Sequence, residues 1–268
     1  MDKTQQFAGS WAVILGGSSG FGFAALQKLA AHGMNIALLY RETAITEKPL
    51  KEQLTQIAAE HSVTILPFNI NALEQTGRDL FLKQFAQLAV HKHCVKLLLH
   101  SIARGNLKPL AAGANNDPVL SIEDIQATTY AMSNSLLDWT RLLLEAELFN
   151  PDARVIGLTS DGVHKYWESY AAVSIAKASL ESLTRYMAVE FSRYGLKTNL
   201  IQAGVTETPS LKRIPGSDKL ITLAAANNPM GRITVPTDVA NVIYMLCTDE
   251  AFWINGSLIH VDGGEHCL

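Results

Sequence analysis

The chain has 268 residues, of which 48% are hydrophobic, and its formal net charge is −3. This length fits one large α/β domain, and an acidic chain without a run of Lys or Arg disfavours nucleic-acid binding. No apolar stretch is long enough for a membrane span or a signal peptide, and three separated cysteines indicate neither a disulfide framework nor a zinc site. We therefore expect a single cytoplasmic domain over residues 1–268 that binds no metal ion.

Apolar runs alternate with helical patterns along the chain. The seven strand predictions cover residues 11–15, 35–40, 63–68, 95–100, 154–159, 197–202 and 257–261. The six helix predictions cover residues 21–32, 49–60, 73–91, 122–149, 170–194 and 237–249. This alternation predicts a Rossmann-like doubly wound parallel sheet, with helices on both faces and ligands at the carboxyl ends of the strands. Segments 104–118 and 205–230 lack periodicity and follow strands, so both are predicted to be substrate loops.

Glycines follow the first strand in a G-x3-G-x-G spacing, directly before the first helix. Such a turn lets the backbone approach the pyrophosphate of a dinucleotide at the positive end of the helix. The two serines of the turn are predicted to bind phosphate or to cap the helix, and both uses remain open. The cofactor-binding residues predicted in this stretch are Gly16, Ser18, Ser19, Gly20, Phe21 and Gly22.

The second strand ends in Leu39-Tyr40-Arg41, where NAD-binding domains normally carry an acidic residue that binds ribose hydroxyls. Without a carboxylate at this place, the guanidinium of Arg41 would meet a 2′-phosphate, unless Arg41 is only an exposed surface residue. The sequence therefore favours NADP(H) over NAD(H). At the end of the third strand, Asn69 is predicted either to contact the adenine or to cap the following helix.

Tyr170 and Lys177 are separated by six residues. Seven steps along a helix make about two turns, so both side chains lie on one face. A phenol and an ammonium so placed can share one cofactor, although a half-buried Tyr beside a solvated Lys is the structural alternative. Tyr166, one turn earlier, is predicted to line the pocket or simply to pack.

Four motifs together resemble the short-chain dehydrogenase/reductase superfamily: the glycine turn, Tyr170-x6-Lys177, Ala203-Gly204-x3-Thr208 and Val261-Asp262-Gly263-Gly264. The Tyr-x6-Lys spacing, in place of the commoner Tyr-x3-Lys, is similar to enoyl-acyl-carrier-protein reductases. The segment 100–103, His-Ser-Ile-Ala, replaces the usual Asn-Asn-Ala-Gly and indicates the same group. Residues 166–190 look most like the NADPH-dependent L-type branch of these reductases.

The resemblance implies an NADP(H)-dependent reductase of fatty-acid synthesis that forms a homotetramer and acts on an enoyl thioester carried by acyl carrier protein. It makes Tyr170 and Lys177 catalytic, and it places Ser160 where ketoreductases keep a catalytic Ser. Tyr130 aligns with the catalytic Asn of ketoreductases. The remaining cofactor contacts that it implies are Ile70, Ser101, Ile102, Ala103, Lys177, Gly204, Val205, Thr206 and Thr208, the last of which could instead stabilise a turn. The substrate contacts are Tyr166, Tyr170 and Arg104.

The residue four positions before Lys177 is Val173, which cannot donate a proton to a carbonyl positioned for direct reduction. In an α,β-unsaturated thioester, hydride goes to the β-carbon and negative charge accumulates on the more distant carbonyl oxygen, which suits a displaced phenol. Tyr170 would then stabilise the oxyanion, while Lys177 would hold the nicotinamide ribose.

Two other functions remain as alternatives. The first is reduction of a 3-ketoacyl thioester or another carbonyl compound, which Val173 and the missing Asn disfavour. The second is a non-catalytic NADP(H)-sensing protein, which has no need of the Tyr and Lys pair. Basic residues in the two aperiodic segments, including Arg104, would steer an acidic carrier protein, or they are simply solvated charges.

Overall fold

The computed structural model describes residues 5–88, 92–112 and 118–268. Within these ranges, seven strands form one sheet in the order β3-β2-β1-β4-β5-β6-β7, and all neighbouring strands are parallel. The strands are β1 (Trp11–Leu15), β2 (Asn35–Tyr40), β3 (Ile65–Asn69), β4 (Val95–His100), β5 (Phe149–Ser160), β6 (Lys197–Ala203) and β7 (Leu258–Val261). The predicted Rossmann-like sheet is confirmed.

Helices cover both faces of the sheet, and the described residues contain eight α-helices. They are α1 (Gly20–Ala30), α2 (Ala44–His61), α3 (Gln75–Leu88), α4 (Ile122–Thr129), α5 (Ser135–Glu145), α6 (Ala171–Glu190), α7 (Ser217–Asn227) and α8 (Pro236–Cys247). The side chains of each central strand alternate between two apolar clusters. Val13 and Leu15 join the cluster that includes residues of α3, α5 and α6, while Ala12 and Ile14 join the cluster of α1, α2 and α8.

Two helix predictions were wrong in extent. Helix α2 begins at Ala44, because the backbone N–H groups of Thr46 and Glu47 already bond to the carbonyl of Thr43, and Pro49 lies inside the helix instead of starting it. The predicted helix 122–149 is interrupted by a π-helical segment, Tyr130–Asn134, and its end belongs to β5.

The predicted loop 205–230 contains α7, in which only Ser217 and Ala224 are buried, so it has no apolar periodicity to reveal it. Residues 113–117 of the other predicted loop lie outside the described residues. So do residues 89–91, at the end of the predicted helix 73–91.

Candidate active site

A cavity of about 810 Å³ lies at the carboxyl ends of the central strands, where a doubly wound sheet binds its ligands. Most of the predicted site residues line this cavity. They are Gly16, Ser18, Ser19, Gly20, Phe21, Arg41, Ile70, Ser101, Ile102, Ala103, Arg104, Ser160, Tyr166, Tyr170, Lys177, Gly204, Val205, Thr206 and Thr208. Gly22 and Asn69 are outside this lining.

The turn between β1 and α1 requires its glycines for three different reasons. Gly16 has φ +81°, and a Cβ atom there would lie 2.7 Å from the backbone oxygen of Ser101. Gly20 has φ +56° and begins α1. Gly22 lets the helix approach the turn, since its Cβ would lie 2.6 Å from the oxygen of Gly16, so its role is packing. Ser19 precedes the helix without capping it through its side chain, which leaves the hydroxyl available to a ligand.

Glu42 is the main site residue that the sequence analysis missed. It lies one residue beyond Arg41, lines the cavity, and accepts hydrogen bonds from the hydroxyls of Ser18 (2.8 Å) and Thr46 (2.9 Å). The amide of Asn69 neither caps a helix nor lines the cavity, because it bonds to both backbone groups of Glu42 at 3.0 Å. The acidic residue expected of an NAD-binding site is therefore present, two positions after the end of β2.

Tyr170, Ser160 and Lys177 lie together in one wall of the cavity. The hydroxyl of Tyr170 donates to that of Ser160 across 3.2 Å, and the N–H of Gly162 donates to the same Ser160 oxygen across 3.3 Å. Burial raises the pKa of Tyr170, so its phenol remains protonated at neutral pH. The Lys177 ammonium donates to the carbonyl of Leu158 at 2.7 Å, and burial lowers its pKa to about 8.

Gly162 leaves room for the ring of Tyr170. A Cβ atom at this position would lie 2.5 Å from Cε1 of the tyrosine, which is closer than packed carbon atoms can be. Tyr170 itself immediately precedes α6 instead of lying within its first turn. The ring therefore rests on the turn that follows β5, and this turn determines where the hydroxyl points.

Next to the phenol, the cavity wall is apolar. Val173, four residues before Lys177, is buried with Met132, and both line the cavity. A Cβ atom on Gly105 would lie 2.6 Å from Val173 Cγ2, so the backbone at Gly105 packs closely against the Val173 side chain. Tyr130 lies outside the lining, because its hydroxyl donates to Asp138 (2.8 Å) and accepts from Arg78 (2.9 Å).

His100 lies fully buried at the end of β4. Its Nε2 is 2.8 Å from the Ser135 hydroxyl, which in turn donates to the carbonyl of Ala131 in the π-helical segment. Burial and the charge of Lys177 lower the pKa of His100 to about 3, so the ring is neutral. Because the Ser135 hydrogen is already used, Nε2 is the protonated nitrogen.

Two basic residues of the predicted substrate loops are paired with acids. Lys108 contacts Asp124 at 2.6 Å and Lys212 contacts Glu207 at 2.9 Å. Arg104 is exposed and makes no ion pair within the described part of the chain. The Tyr166 side chain is 89% exposed at the edge of the cavity.

The described ranges contain no group of three His, Cys, Asp or Glu side chains placed to hold a metal ion. None of the helices within them has the length and apolar character needed to cross a membrane.

Comparison with known proteins agrees with the predicted resemblance. A family model described as enoyl-(acyl carrier protein) reductase matches residues 16–266. The NADH-dependent enoyl-[acyl-carrier-protein] reductase FabI of Aquifex aeolicus is 30% identical over 172 residues, which cover 64% of this chain and 62% of the relative, less than two thirds of its length. A probable 2,4-dienoyl-CoA reductase of Bacillus subtilis is 28% identical over 260 residues, covering 94% of this chain and 95% of the relative.

Solved structures show the same fold. The enoyl-[acyl-carrier-protein] reductase (NADH) of Aquifex aeolicus superposes with a TM-score of 0.81 at 25% identity, covering 98% of both chains. The enoyl reductase of Anaplasma phagocytophilum, solved in complex with NAD, also gives 0.81, at 20% identity, covering 100% of this chain and 96% of that one.

The predicted preference for NADP(H) was wrong. The FabI relatives of Aquifex aeolicus, Haemophilus influenzae and Escherichia coli are all named as NADH enzymes. The physical reason in this chain is Glu42, whose carboxylate would repel a 2′-phosphate. The prediction failed because this carboxylate lies one residue beyond Arg41, instead of at the end of β2 where an acidic residue was expected.

Proposed function

We propose that this chain, which belongs to the enoyl-(acyl carrier protein) reductase family, uses NADH to reduce the α,β double bond of an enoyl thioester. The observation that carries the proposal is the wall formed by Tyr170, Val173 and Lys177. A phenol hydroxyl lies displaced from the buried ammonium, and an apolar side chain occupies the position of the usual proton donor.

The residues present fit a dinucleotide. Gly16 and Gly20 form a turn with positive φ at the start of α1, where backbone N–H groups and the helix dipole would hold a pyrophosphate. The carboxylate of Glu42 would accept hydrogen bonds from the hydroxyls of the adenine-side ribose. Lys177 would bind the nicotinamide ribose through the two N–H groups that Leu158 leaves available. NADH, when bound, supplies hydride to the β-carbon of the substrate.

Tyr170 would act on the thioester carbonyl. As negative charge develops on that oxygen, the phenol donates a hydrogen bond that is stronger in the transition state than in the ground state. Because burial raises its pKa, Tyr170 keeps the proton that this interaction needs. Lys177 adds a positive charge within the same water-poor wall, where electrostatic interactions are strong.

The side chains of Val173 and Met132 would exclude water from the acyl group on the side of the cavity beside the phenol. Leu220 and Leu223 of α7 add further apolar lining. An aliphatic chain fits such a surface, whereas a highly hydroxylated substrate would leave its hydrogen bonds unsatisfied.

A second candidate is a 3-ketoacyl thioester reductase, since Ser160 contacts the phenol of Tyr170 as a ketoreductase Ser would. The two functions are separated by incubating the purified protein with NADH and either crotonyl-thioester or acetoacetyl-thioester, while nicotinamide absorbance is followed. We expect rapid oxidation of NADH with the crotonyl substrate only, and slower oxidation when NADPH replaces NADH. Turnover of acetoacetyl-thioester alone would support the second candidate, and binding without any turnover would support a sensor.

The acyl carrier is the remaining part of the proposal. Arg104 and Arg213 line the cavity, and neither makes an ion pair within the described part of the chain, so they would attract an acidic carrier protein and its phosphopantetheine phosphate. The test is Arg213→Glu with a carrier-linked and a coenzyme A-linked crotonyl group, measured at two salt concentrations. A greater loss of kcat/KM for the carrier-linked substrate, shrinking as salt rises, supports the proposal.

A further inference from the structure

Glu265 lines the cavity, although it lies far from the glycine turn and follows β7. The backbone N–H of Val205, just after β6, donates to its carboxylate, with the nitrogen 3.1 and 3.3 Å from the two oxygens. The carboxylate lies close to the backbone of Gly204, since a Cβ atom on this glycine would lie 2.8 Å from Oε2 of Glu265. The backbone at the end of β6 therefore holds this carboxylate in one orientation at the cavity wall.

The environment of Glu265 is unfavourable for a negative charge. Burial raises its pKa, and the nearby carboxylates of Asp262 and Asp161 raise it further, against the lowering effect of the Val205 N–H and the Asn228 amide. The two carboxylates already have partners of their own, since Asp262 contacts the His266 ring at 2.6 Å and Asp161 contacts Lys165 at 3.1 Å. Across the described residues, no Lys, Arg or His forms a salt bridge with Glu265. A ligand that brought a hydrogen-bond donor would offset this cost.

The position of Glu265 limits which part of a dinucleotide could bring that donor. The adenine half would lie near the turn after β1 and near Glu42 after β2, in the half of the sheet that β3, β2 and β1 form. The other half would then cross the ends of β4 and β5 toward Lys177, and its ring would approach the ends of β6 and β7. The nicotinamide half of the dinucleotide has hydrogen-bond donors in its ribose hydroxyls and in its carboxamide. The carboxamide amino group, with two N–H donors, is the one that lies outside the ribose.

We propose that Glu265 accepts a hydrogen bond from the carboxamide amino group of the nicotinamide and thereby selects an intact carboxamide at this site. This inference rests on the proposed use of NADH. Glu265 is thus a binding residue that positions the ring, while hydride transfer and the oxyanion depend on other groups.

Calorimetry with NADH and with the reduced 3-acetylpyridine analogue tests the inference without any substrate. The analogue has a methyl group in place of the amino group and keeps the carbonyl. Because a hydrogen bond to a charged group is involved, we expect the wild type to bind NADH about ten- to a hundredfold more tightly. Equal affinities would overturn the inference. Failure of the wild type to bind NADH at all would instead overturn the proposed function.

Glu265→Ala should reduce this ratio of affinities to near one, by weakening NADH alone. Glu265→Gln, which retains an oxygen acceptor without the charge, should give an intermediate ratio and protects the test against poor folding of the alanine variant. Glu207→Gln is the matched control, because Glu207 is an exposed acid of the neighbouring loop and should leave the ratio unchanged. A full wild-type ratio in Glu265→Ala, or an equal fall in Glu207→Gln, would contradict a contact with the carboxamide.

Discussion

The hydroxyl of Tyr170 lies in a buried wall, 3.2 Å from that of Ser160. We expect Tyr170→Phe to lower kcat about 100- to 1000-fold with little change in KM, because the lost hydrogen bond is strongest in the transition state. The measurement is steady-state kinetics with crotonyl-thioester and NADH. Tyr194→Phe, which removes a hydroxyl from an exposed ring, is the control. An unchanged kcat would exclude Tyr170 from the chemistry.

Glu42 should determine the choice between the two nicotinamide cofactors. Glu42→Ala removes the charge that would repel a 2′-phosphate, and it leaves Arg41 in the same wall. We expect weaker NADH binding and stronger NADPH binding, so that the ratio of their Kd values moves toward one. Titration of both cofactors by nicotinamide fluorescence measures this ratio, with the exposed Glu52→Ala as control. If the ratio stays at its wild-type value, Glu42 does not contact the ribose.

Lys177 should make the rate of the reaction fall at alkaline pH. Its pKa of about 8 means that the ammonium is charged below this pH and loses its charge as pH rises through it. Because the charged form stabilises the oxyanion, kcat/KM should fall above about pH 8. The Lys177→Arg variant keeps its positive charge to higher pH, so the fall in its kcat/KM should begin at higher pH, whatever the absolute rate of the variant. An identical pH profile in both proteins would assign the fall to another group.

Most of the predicted site residues do line the cavity, because they belong to motifs with fixed spacing, such as Gly16-x3-Gly20 and Tyr170-x6-Lys177. Glu42 and Glu265 were missed because neither has a spacing that marks it. Glu42 lies two residues after its strand ends, and Glu265 reaches the cavity only because β7 pairs with β6. Contacts between distant parts of the chain determine both positions.

The turn from β5 to α6 shows how an element controls the chemistry. Gly162→Ala should displace the Tyr170 ring, because its Cβ would lie 2.5 Å from Cε1. The backbone at Gly162 needs no positive φ, so the melting temperature should change little while kcat falls substantially. Thermal unfolding and kinetics of this variant check the prediction. A large loss of stability with normal kcat in the remaining folded protein would contradict it.

At the level of elements, the sequence predicted which segments form strands better than where helices begin and end. A buried parallel strand such as β1 is apolar throughout, which is a strong local signal. Helix α7 was missed because most of its surface is exposed, and the π-helical segment Tyr130–Asn134 has no distinct composition. This segment contains Met132, which lines the cavity, so it matters for the site although its sequence does not reveal it.

For the whole molecule, we expect a homotetramer, as the family resemblance implies. Large apolar side chains are exposed on α4 and α6, including Ile122, Tyr186 and Val189. Val189→Asp should therefore reduce the mass measured by light scattering at micromolar concentration. Ile45→Asp is the control, because Ile45 is even more exposed than Val189, at 86% against 74%, but belongs to α2. A monomeric wild type would refute the expectation.

Pro67 lies in β3, which forms one edge of the sheet and pairs on its inner side with β2, where Pro67 faces Leu38. An edge strand normally offers a row of free N–H and C=O groups that can template a further strand from another molecule. Proline has no N–H to offer, and here its ring is exposed. Strand-by-strand growth of aggregates should consequently be disfavoured at this edge. Replacing Pro67 with Val should make the concentrated protein more prone to form fibrils, even where its activity is unchanged.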